Sequence, residues 1–278
     1  MINPVEKLGE EKITKILQNK QLAMLKEVKR IFDKNNIPFF LACGTALGCA
    51  RHQGFIPWDD DVDIYVWGKD YSRIKMALEN DPSGTLKFHD YSIKESYPYW
   101  FPKIIATDTV LIEKSLNQLD YSCGVYIDVF PLFYASDNRF IRIFQESLRY
   151  FWYVLLRAYF SESFSSGIRK FMKFFSKSMI NPRKIQARLE KTYQTKKKHG
   201  QYVVDPGIFH KDALIDSNLF NNKIDMKFED SQMPMPERYK DYLTHYYGDY
   251  MKLPEEKDRV SRHHIAKLEI DSVLELKD

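Results

Sequence analysis

The 278-residue sequence contains three cysteines and no apolar run long enough to cross a membrane. Cys43, Cys49 and Cys123 are an odd number without zinc-site spacing, which is typical of reduced thiols in a cytosolic protein. A transmembrane helix needs about 20 apolar residues, whereas the longest run here is Phe151 to Leu156. Residues 1–7 lack the apolar segment of a secretory signal. A cytoplasmic protein is therefore expected, without disulfides or membrane spans.

The familiar phosphate-binding loops are also missing. Neither a P-loop nor a G-x-G-x-x-G pattern occurs, and no motif of a nucleic-acid reader accompanies the basic residues, so no nucleic-acid partner is expected. With 44% hydrophobic and 29% charged residues and a net charge of +4, the composition is that of a globular protein. The length allows a catalytic core with a sizeable addition.

What the chain does have is an acidic cluster at residues 59–63. Residues 61–66 are apolar and β-branched apart from their acids, so they predict a strand that points Asp61 and Asp63 to one side. Two carboxylates on one face repel each other unless a cation lies between them. Hard oxygen ligands suit Mg²⁺ or Mn²⁺, so the pattern favours a metal site.

Two other interpretations of the acidic cluster compete with the metal site. A solvated surface turn is the usual place for a run of aspartates. A calcium-binding loop would use the alternating acids, but its sixth position would be Ile64 and its twelfth Asp70, where glycine and glutamate are required. The flanking segments favour catalysis.

Upstream of the acids, residues 38–43 predict a buried strand that enters a turn of small residues, Gly44 to Gly48. Backbone amides of such a turn can approach a phosphate closely. Downstream, residues 124–131 predict a strand in which Asp128 is the single acid among apolar neighbours. Because a lone buried acid must be paired or bind a metal, Asp128 is the expected third carboxylate.

This order of segments resembles the DNA polymerase β-like nucleotidyltransferase fold. The intervening stretch Arg51-His52-Gln53-Gly54-Phe55-Ile56-Pro57-Trp58-Asp59-Asp60 is similar to the signature of the LicD family. The similarity extends to residues 101–104, to 124–131 and to the C-terminal Tyr247-Gly248-Asp249-Tyr250-Met251-Lys252-Leu253-Pro254. It implies an α/β (α+β) fold, with a nucleotidyltransferase core and mixed sheet extended by additional helices.

LicD-like proteins include bacterial phosphocholine transferases and the fukutin-related group, so the resemblance implies a CDP-alcohol-dependent phosphotransferase. Phosphocholine or a related alcohol phosphate would pass from a CDP-linked donor, with CDP-choline favoured, to a hydroxyl of a cell-surface polysaccharide or its lipid-linked precursor, and CMP would be released. Mg²⁺ or Mn²⁺ held by Asp61, Asp63 and Asp128 would neutralise the diphosphate. Asp128 would complete the metal cage or take the acceptor's proton.

Three alternative functions remain open at this point. The first is a glycerol- or ribitol-phosphate transferase acting on capsule or teichoic acid. The second is a nucleotidyltransferase that consumes nucleoside triphosphates. The third is a non-catalytic factor of polysaccharide assembly, for which Asp61 and Asp63 would be dispensable.

Further residues are predicted to bind the donor or to support the metal ligands. Those expected at the donor phosphates are Gly44, Thr45, Arg51, His52 and Lys103. Asp59 and Asp60 are expected to hydrogen-bond the ligand carboxylates. A quaternary ammonium group binds against aromatic rings, which makes Trp58, Tyr97, Tyr99 and Trp100 candidates for choline or base contacts. His263 and His264 are further donor-binding candidates. The alternatives are core packing for the rings, turn or surface contacts for Thr45, Arg51 and His52, and solvation for the paired histidines.

The segment order predicts three regions. Residues 1–135 would form the catalytic core with an N-terminal helix that ends near Asn35, 136–200 a basic aromatic insert, and 201–278 a region that returns to the active site. Within the insert, residues 139–180 hold eight bases against two acids, with aromatic residues at helical spacing. Two amphipathic helices are expected, either packed on the core or lying on an anionic membrane at the inner face of the cell membrane.

Overall fold

The computed structural model describes residues 9–114, 121, 123–160, 181–194, 197, 199–207, 213–261, 263 and 265–270. The chain divides into two compact units. The first unit consists of residues 1–88, 103–129 and 219–278, and the second consists of residues 89–102 and 130–218. Helices and a curled mixed sheet give the α+β fold predicted from the sequence.

The helices and strands are numbered in chain order. The helices are α1 Glu10–Lys34, α2 Cys43–His52, α3 Tyr71–Glu79, α4 Arg139–Phe160, α5 Pro182–Tyr193 and α6 Tyr239–Tyr247. The strands are β1 Phe39–Leu41, β2 Asp63–Trp67, β3 Leu86–His89, β4 Lys103–Ala106, β5 Thr109–Glu113, β6 Tyr126–Tyr134, β7 Tyr202–Val204, β8 Leu214–Asp216, β9 Lys223–Phe228, β10 Ser231–Pro236 and β11 Ile265–Ile270.

The first unit is built on strands in the order β1-β2-β6-β4-β3. β1 runs antiparallel to β2, and β4 runs antiparallel to β6 with Lys103 opposite Asp128. Val62, Ile64, Ile127 and Val129 are buried, as the alternating pattern predicted. Two antiparallel pairs, β9 with β10 and β5 with β11, complete the unit. The metal-site candidates therefore lie on the two neighbouring strands β2 and β6.

Helix α1 confirms the predicted N-terminal helix and its end near Asn35. Leu25, Val28 and Phe32 are fully buried, so one face of this helix packs into the core. Two glutamines, Gln18 and Gln21, are buried on the same helix. Buried amides need hydrogen-bond partners, and their partners belong to the site described below.

The segment from Gly44 to Gly48 is a helix rather than the predicted turn. α2 begins at Cys43, whose φ of 44° reverses the chain directly after β1. Ala46 donates its N–H to the carbonyl of Ala42 at 2.9 Å, the first bond of the helix. Helical spacing buries Ala46, Leu47 and Cys49 together, and this packing outweighs the low helix propensity of the glycines.

The second unit contains α4, α5 and the far end of β6. Phe133 of β6 pairs with Val204 of β7, and β7 pairs with β8. Leu155, Ile185 and Leu189 belong to its buried core. α4 confirms the first of the two predicted amphipathic helices, whereas the second falls in residues 161–180, outside the described residues. None of the helices in the described part of the chain is long and apolar enough to span a membrane.

Candidate active site

Asp61, Asp63 and Asp128 form one carboxylate cluster. Asp63 is the first residue of β2 and Asp128 lies on β6, and both are buried. The N–H of Asp128 donates to the carbonyl of Val62 at 2.8 Å, which fixes the two strands side by side at this point. Asp61 precedes the strand, with 18% of its side chain exposed. The charges of the three predicted metal ligands therefore act on one another, whereas the ligating atoms that meet within 4.8 Å in the described part of the chain belong to Asp60, Asp61 and His263.

The cluster is electrostatically costly without a cation. Burial raises the pKa of Asp61 and raises that of Asp63 well above its usual value, and the charges of Asp61 and Asp128 add to the shift at Asp63. Burial likewise raises the pKa of Asp128 to about 6. A divalent cation would relieve this repulsion. Clustered hard carboxylate oxygens are the ligand set that Mg²⁺ and Mn²⁺ prefer, so these residues fit the predicted metal.

Lys103 is bound to the third carboxylate. Its Nζ lies 2.5 Å from Oδ1 of Asp128 and 3.4 Å from the centroid of the Tyr126 ring, and the side chain is only 1% exposed. Its cation partly offsets the effect of burial on Asp128. The sequence predicted Lys103 at the donor phosphates; in the structure it neutralises a buried acid.

Gly44 makes room for Asp59. A Cβ atom on Gly44 would lie 2.5 Å from Oδ2 of Asp59. The Asp59 carboxyl is hydrogen-bonded to Asp61, and burial together with the charges of Asp61 and Asp60 raises the pKa of Asp59 well above its usual value. In its protonated form, Asp59 can donate this hydrogen bond to Asp61. The supporting role of Asp59 at a metal stays a prediction.

Asp60 anchors a C-terminal segment beside the cluster. Ser261 donates its Oγ–H to Oδ2 of Asp60 at 2.6 Å, and Nδ1 of His263 lies 3.0 Å from Oδ1 of Asp60 and 3.7 Å from Oδ2 of Asp61. Burial lowers the pKa of His263, but the hydrogen bond to Asp60 and the charges of both acids outweigh it and raise the pKa to about 9.

A second set of metal-ligating atoms follows from this contact. One atom each from Asp60, Asp61 and His263 lie within 4.8 Å of one another. The sequence proposed His263 for donor binding, and the structure places it against the acids instead. Ser261 was not anticipated, and His264 lies outside the described residues.

The acidic loop, residues 56–60, is held by side chains that the sequence did not indicate. Gln18 donates to the carbonyls of Ile56 and Asp59 at 3.1 and 2.8 Å, and Gln21 donates to the carbonyl of Asp60 at 3.0 Å. Two amides on the apolar face of α1 were the available signal, because such groups are buried only with partners.

Thr45 is a structural partner of strand β2. Its Oγ1 accepts the N–H of Asp63 at 2.9 Å, and the residue is buried. The hydroxyl therefore fixes the start of β2, the backbone contact that was the alternative to phosphate binding.

A cavity of about 730 Å³ opens beside the carboxylates. Asp59, Asp61 and Asp63 line one part of it, and the N-terminal residues of α2 line another. The C-terminal stretch contributes Tyr247, Asp249, Tyr250, Lys252, Leu253, Pro254, Glu255, Asp258 and Val260. The motif segment near residue 250 and the acidic cluster therefore border one space.

Arg51 fixes that C-terminal stretch. Its guanidinium donates to the carbonyls of Tyr250 and Lys252 at 3.0 and 3.3 Å and also lines the cavity. Burial lowers the pKa of His52, which packs edge-on against Trp58 at 6.3 Å between ring centroids and is not among the lining residues. Arg259, a residue the sequence did not single out, lies over the Trp58 ring at 5.7 Å.

Three aromatic candidates belong to the second unit. Trp100 stacks on Tyr193 at 4.5 Å, and Tyr97 is fully buried and donates its hydroxyl to the carbonyl of Phe101. Tyr99 forms a ring contact with Tyr97. Core packing, the alternative given for these rings, is what the structure shows. Trp58, in contrast, lines the cavity.

Comparisons with known proteins agree with the motifs. Residues 36–151 match the family model described as "LicD/FKTN/FKRP, nucleotidyltransferase domain". The lipopolysaccharide cholinephosphotransferase LicD of Haemophilus influenzae is 28% identical over 248 residues, which cover 84% of this chain and 89% of that protein. The uncharacterized protein RP689 of Rickettsia prowazekii is 28% identical over 115 residues, 41% of each chain. Residues 36–151 of this chain are therefore similar to the nucleotidyltransferase domain of the LicD family.

Proposed function

We propose that the protein transfers phosphocholine, or a related alcohol phosphate, from a CDP-linked donor to a hydroxyl of a cell-surface polysaccharide or its lipid-linked precursor. The observation that carries the proposal is the acidic cluster of Asp61 with the buried Asp63 and Asp128, beside a cavity of about 730 Å³. Similarity to a cholinephosphotransferase along 84% of the chain supports the transferred group. Lipopolysaccharide is the acceptor class that the relative's name suggests.

The reaction is an in-line displacement at the phosphorus atom of the transferred group. The acceptor oxygen bonds to that phosphorus while the bond to the bridging oxygen breaks, and CMP leaves with the electron pair. Mg²⁺ or Mn²⁺, when bound, would neutralise the diphosphate and polarise its phosphorus atoms. Asp61, Asp63 and Asp128 would hold the metal. Asp128 also forms an ion pair with Lys103. An ionised carboxylate of the cluster would accept the proton of the acceptor hydroxyl.

The cavity offers groups suited to a nucleotide-linked cation. The helix dipole at the start of α2, where Gly44 lines the cavity, favours an anion. Arg259 and Lys252 supply positive charge for the departing CMP. The Trp58, Tyr247 and Tyr250 rings suit a quaternary ammonium. The absence of a disulfide among Cys43, Cys49 and Cys123 is in keeping with the cytoplasmic location that we propose for the reaction.

The test is donor-dependent CMP release. The full chain would be incubated with CDP-choline, CDP-glycerol or CDP-ribitol and Mg²⁺ or Mn²⁺, with and without lipopolysaccharide, teichoic acid or capsule glycan. CDP-choline is expected to give the fastest release, and the metal chelator EDTA is expected to abolish it. Asp61→Asn should lower kcat at least about a hundredfold with unchanged circular dichroism.

Asp230→Asn is the matched control, because Asp230 is an exposed acid of the same unit paired with Lys26. It should retain wild-type turnover. Pyrophosphate release from a nucleoside triphosphate, without turnover of any CDP donor, would replace the proposal with nucleotidyl transfer. Full activity of Asp61→Asn would place the metal elsewhere, and inactivity of the wild type with all donors and acceptors would favour an assembly factor.

A further inference from the structure

Helix α4 presents large apolar side chains to solvent. Phe140 is 81% and Phe144 68% exposed, and Ile143, Tyr150 and Phe151 are each about half exposed. Their spacing of three, four, seven and ten to eleven residues places them along one stripe of the helix. Within the described residues, half of the large exposed hydrophobic side chains fall between Phe140 and Phe151. Single exposed apolar residues are ordinary, but a contiguous stripe indicates a binding surface.

The buried residues of α4 lie between Arg149 and Ala158 and provide the packing that the second unit needs. Leu155 and Leu156 are buried in the core of that unit, together with Ile185 and Leu189 of α5. Arg149 is also buried, with its guanidinium over the Tyr193 ring at 5.1 Å. The exposed stripe therefore does not contribute to the hydrophobic core of its own unit.

Positive charge accompanies the apolar stripe. α4 contains Arg139, Arg142, Arg149 and Arg157 against the single acid Glu146. Arg139 and Arg157 are exposed at the two ends of the stripe. The sequence that follows, residues 161–180, adds four bases and one acid. Aromatic side chains bordered by arginine match the interface of a bilayer with anionic head groups, where each nearby base adds about 1 kcal/mol.

We propose that the exposed face of α4, formed by Phe140, Ile143, Phe144, Tyr150 and Phe151, docks on an anionic lipid membrane. The helix lies parallel to the surface, its rings enter the interface and its arginines contact the head groups. The proposal rests on this surface alone and stands independently of the transferase reaction.

Vesicle flotation of the full chain tests the proposal. The wild type is expected to float with phosphatidylcholine vesicles that contain phosphatidylglycerol and to stay at the bottom with phosphatidylcholine alone. Phe140→Ser/Phe144→Ser/Phe151→Ser should weaken partitioning at least about tenfold, because affinity follows the buried apolar area. Arg139→Gln/Arg157→Gln should weaken it about fivefold per charge, and high salt should have the same effect.

Met76→Ser/Ile93→Ser is the control, since these side chains are 53% and 48% exposed and lie outside α4. It should float like the wild type, and all variants should keep the thermal unfolding midpoint of the wild type. Absence of wild-type flotation with anionic vesicles would overturn the proposal, as would unchanged flotation of the triple serine variant. A wild-type dimer that the triple variant converts to a monomer, without vesicle binding, would assign the face to self-association.

Discussion

The lack of a side chain at Gly44 leaves room for the hydrogen bond between Asp59 and Asp61. Gly44→Ala introduces a Cβ atom that would lie 2.5 Å from Oδ2 of Asp59. Alanine favours a helix by about 1 kcal/mol over glycine, so we expect the thermal midpoint to stay the same or rise. Displacement of Asp59 disturbs its hydrogen bond to Asp61, so kcat should fall about tenfold, the scale of losses at groups that support a metal ligand.

CMP release and thermal unfolding measured on the same preparation check this prediction. Gly9→Ala is the control, because a Cβ there meets nothing within 4 Å. Unchanged kcat in Gly44→Ala would mean that Asp59 is not needed to orient Asp61.

The acids of the site could be predicted from sequence, whereas several of their partners could not. An acid in an apolar strand is costly to bury alone, so Asp63 and Asp128 stand out in the sequence itself. Lys103 also belongs to a family-like segment, residues 101–104. Its pairing with Asp128, however, depends on the antiparallel register of β4 and β6. Ser261 has no local signal, since its contact with Asp60 spans 201 residues.

At the scale of elements, helix α1 holds the acidic loop through hydrogen bonds from Gln18 and Gln21. Gln21→Leu removes the hydrogen bond to the carbonyl of Asp60 and leaves that buried acceptor unpaired. We expect the free energy of unfolding to fall by about 1–3 kcal/mol. Because the loop leads directly into the metal ligands, kcat should fall as well, with the KM for the donor less affected.

Urea unfolding and steady-state kinetics measure these two effects. Gln232→Leu is the matched control, because Gln232 is an exposed glutamine on β10 of the same unit. Wild-type stability in Gln21→Leu would show that water or a neighbour replaces the amide.

The sequence predicted α1, β1, β2, β6 and α4 but misassigned the segment after β1. Periodicity identified α1, β2, β6 and α4 because apolar residues recur in each at the spacing of a helix or a strand. Gly44 and Gly48 suggested a turn, yet the segment is helical. A Cβ on Gly48 would lie 2.5 Å from the carbonyl oxygen of Gly54. Glycine is therefore required at this position by a close backbone approach, which the local sequence pattern cannot indicate.

At the scale of the whole molecule, the carboxylate cluster links stability to pH and metal. An acid with a raised pKa binds more protons in the folded state than in the unfolded state, so stability falls as pH rises through the interval between the two pKa values. For Asp128 that interval runs from 3.8 to about 6. The pKa of His263 is raised from 6.5 to about 9, so the stability that its protonated form contributes is lost as the pH rises through that range. The metal-free protein should therefore be least stable at alkaline pH.

Asp63→Asn isolates the contribution of the cluster. It removes one of the like charges, so in EDTA at pH 8 we expect the variant to be at least about 1 kcal/mol more stable than the wild type, with a smaller difference at pH 5. Saturating Mg²⁺ should reverse the order, since a ligand at a hundred times its Kd stabilises by about 2.7 kcal/mol. Differential scanning calorimetry at both pH values checks this. Equal responses of wild type and variant to Mg²⁺ would remove Asp63 from the metal site.

The contact of Asp60 with Ser261 and His263 bears on how the polypeptide matures. The acids leave the ribosome early, but the hydroxyl and the imidazole that pair with Asp60 follow 201 and 203 residues later. Domains form in the order of synthesis, N-terminal parts first. A nascent chain shorter than residue 261 therefore carries the acidic loop with Asp60 unpaired. The contacts of Asp60 with Ser261 and His263 can therefore form only late in translation.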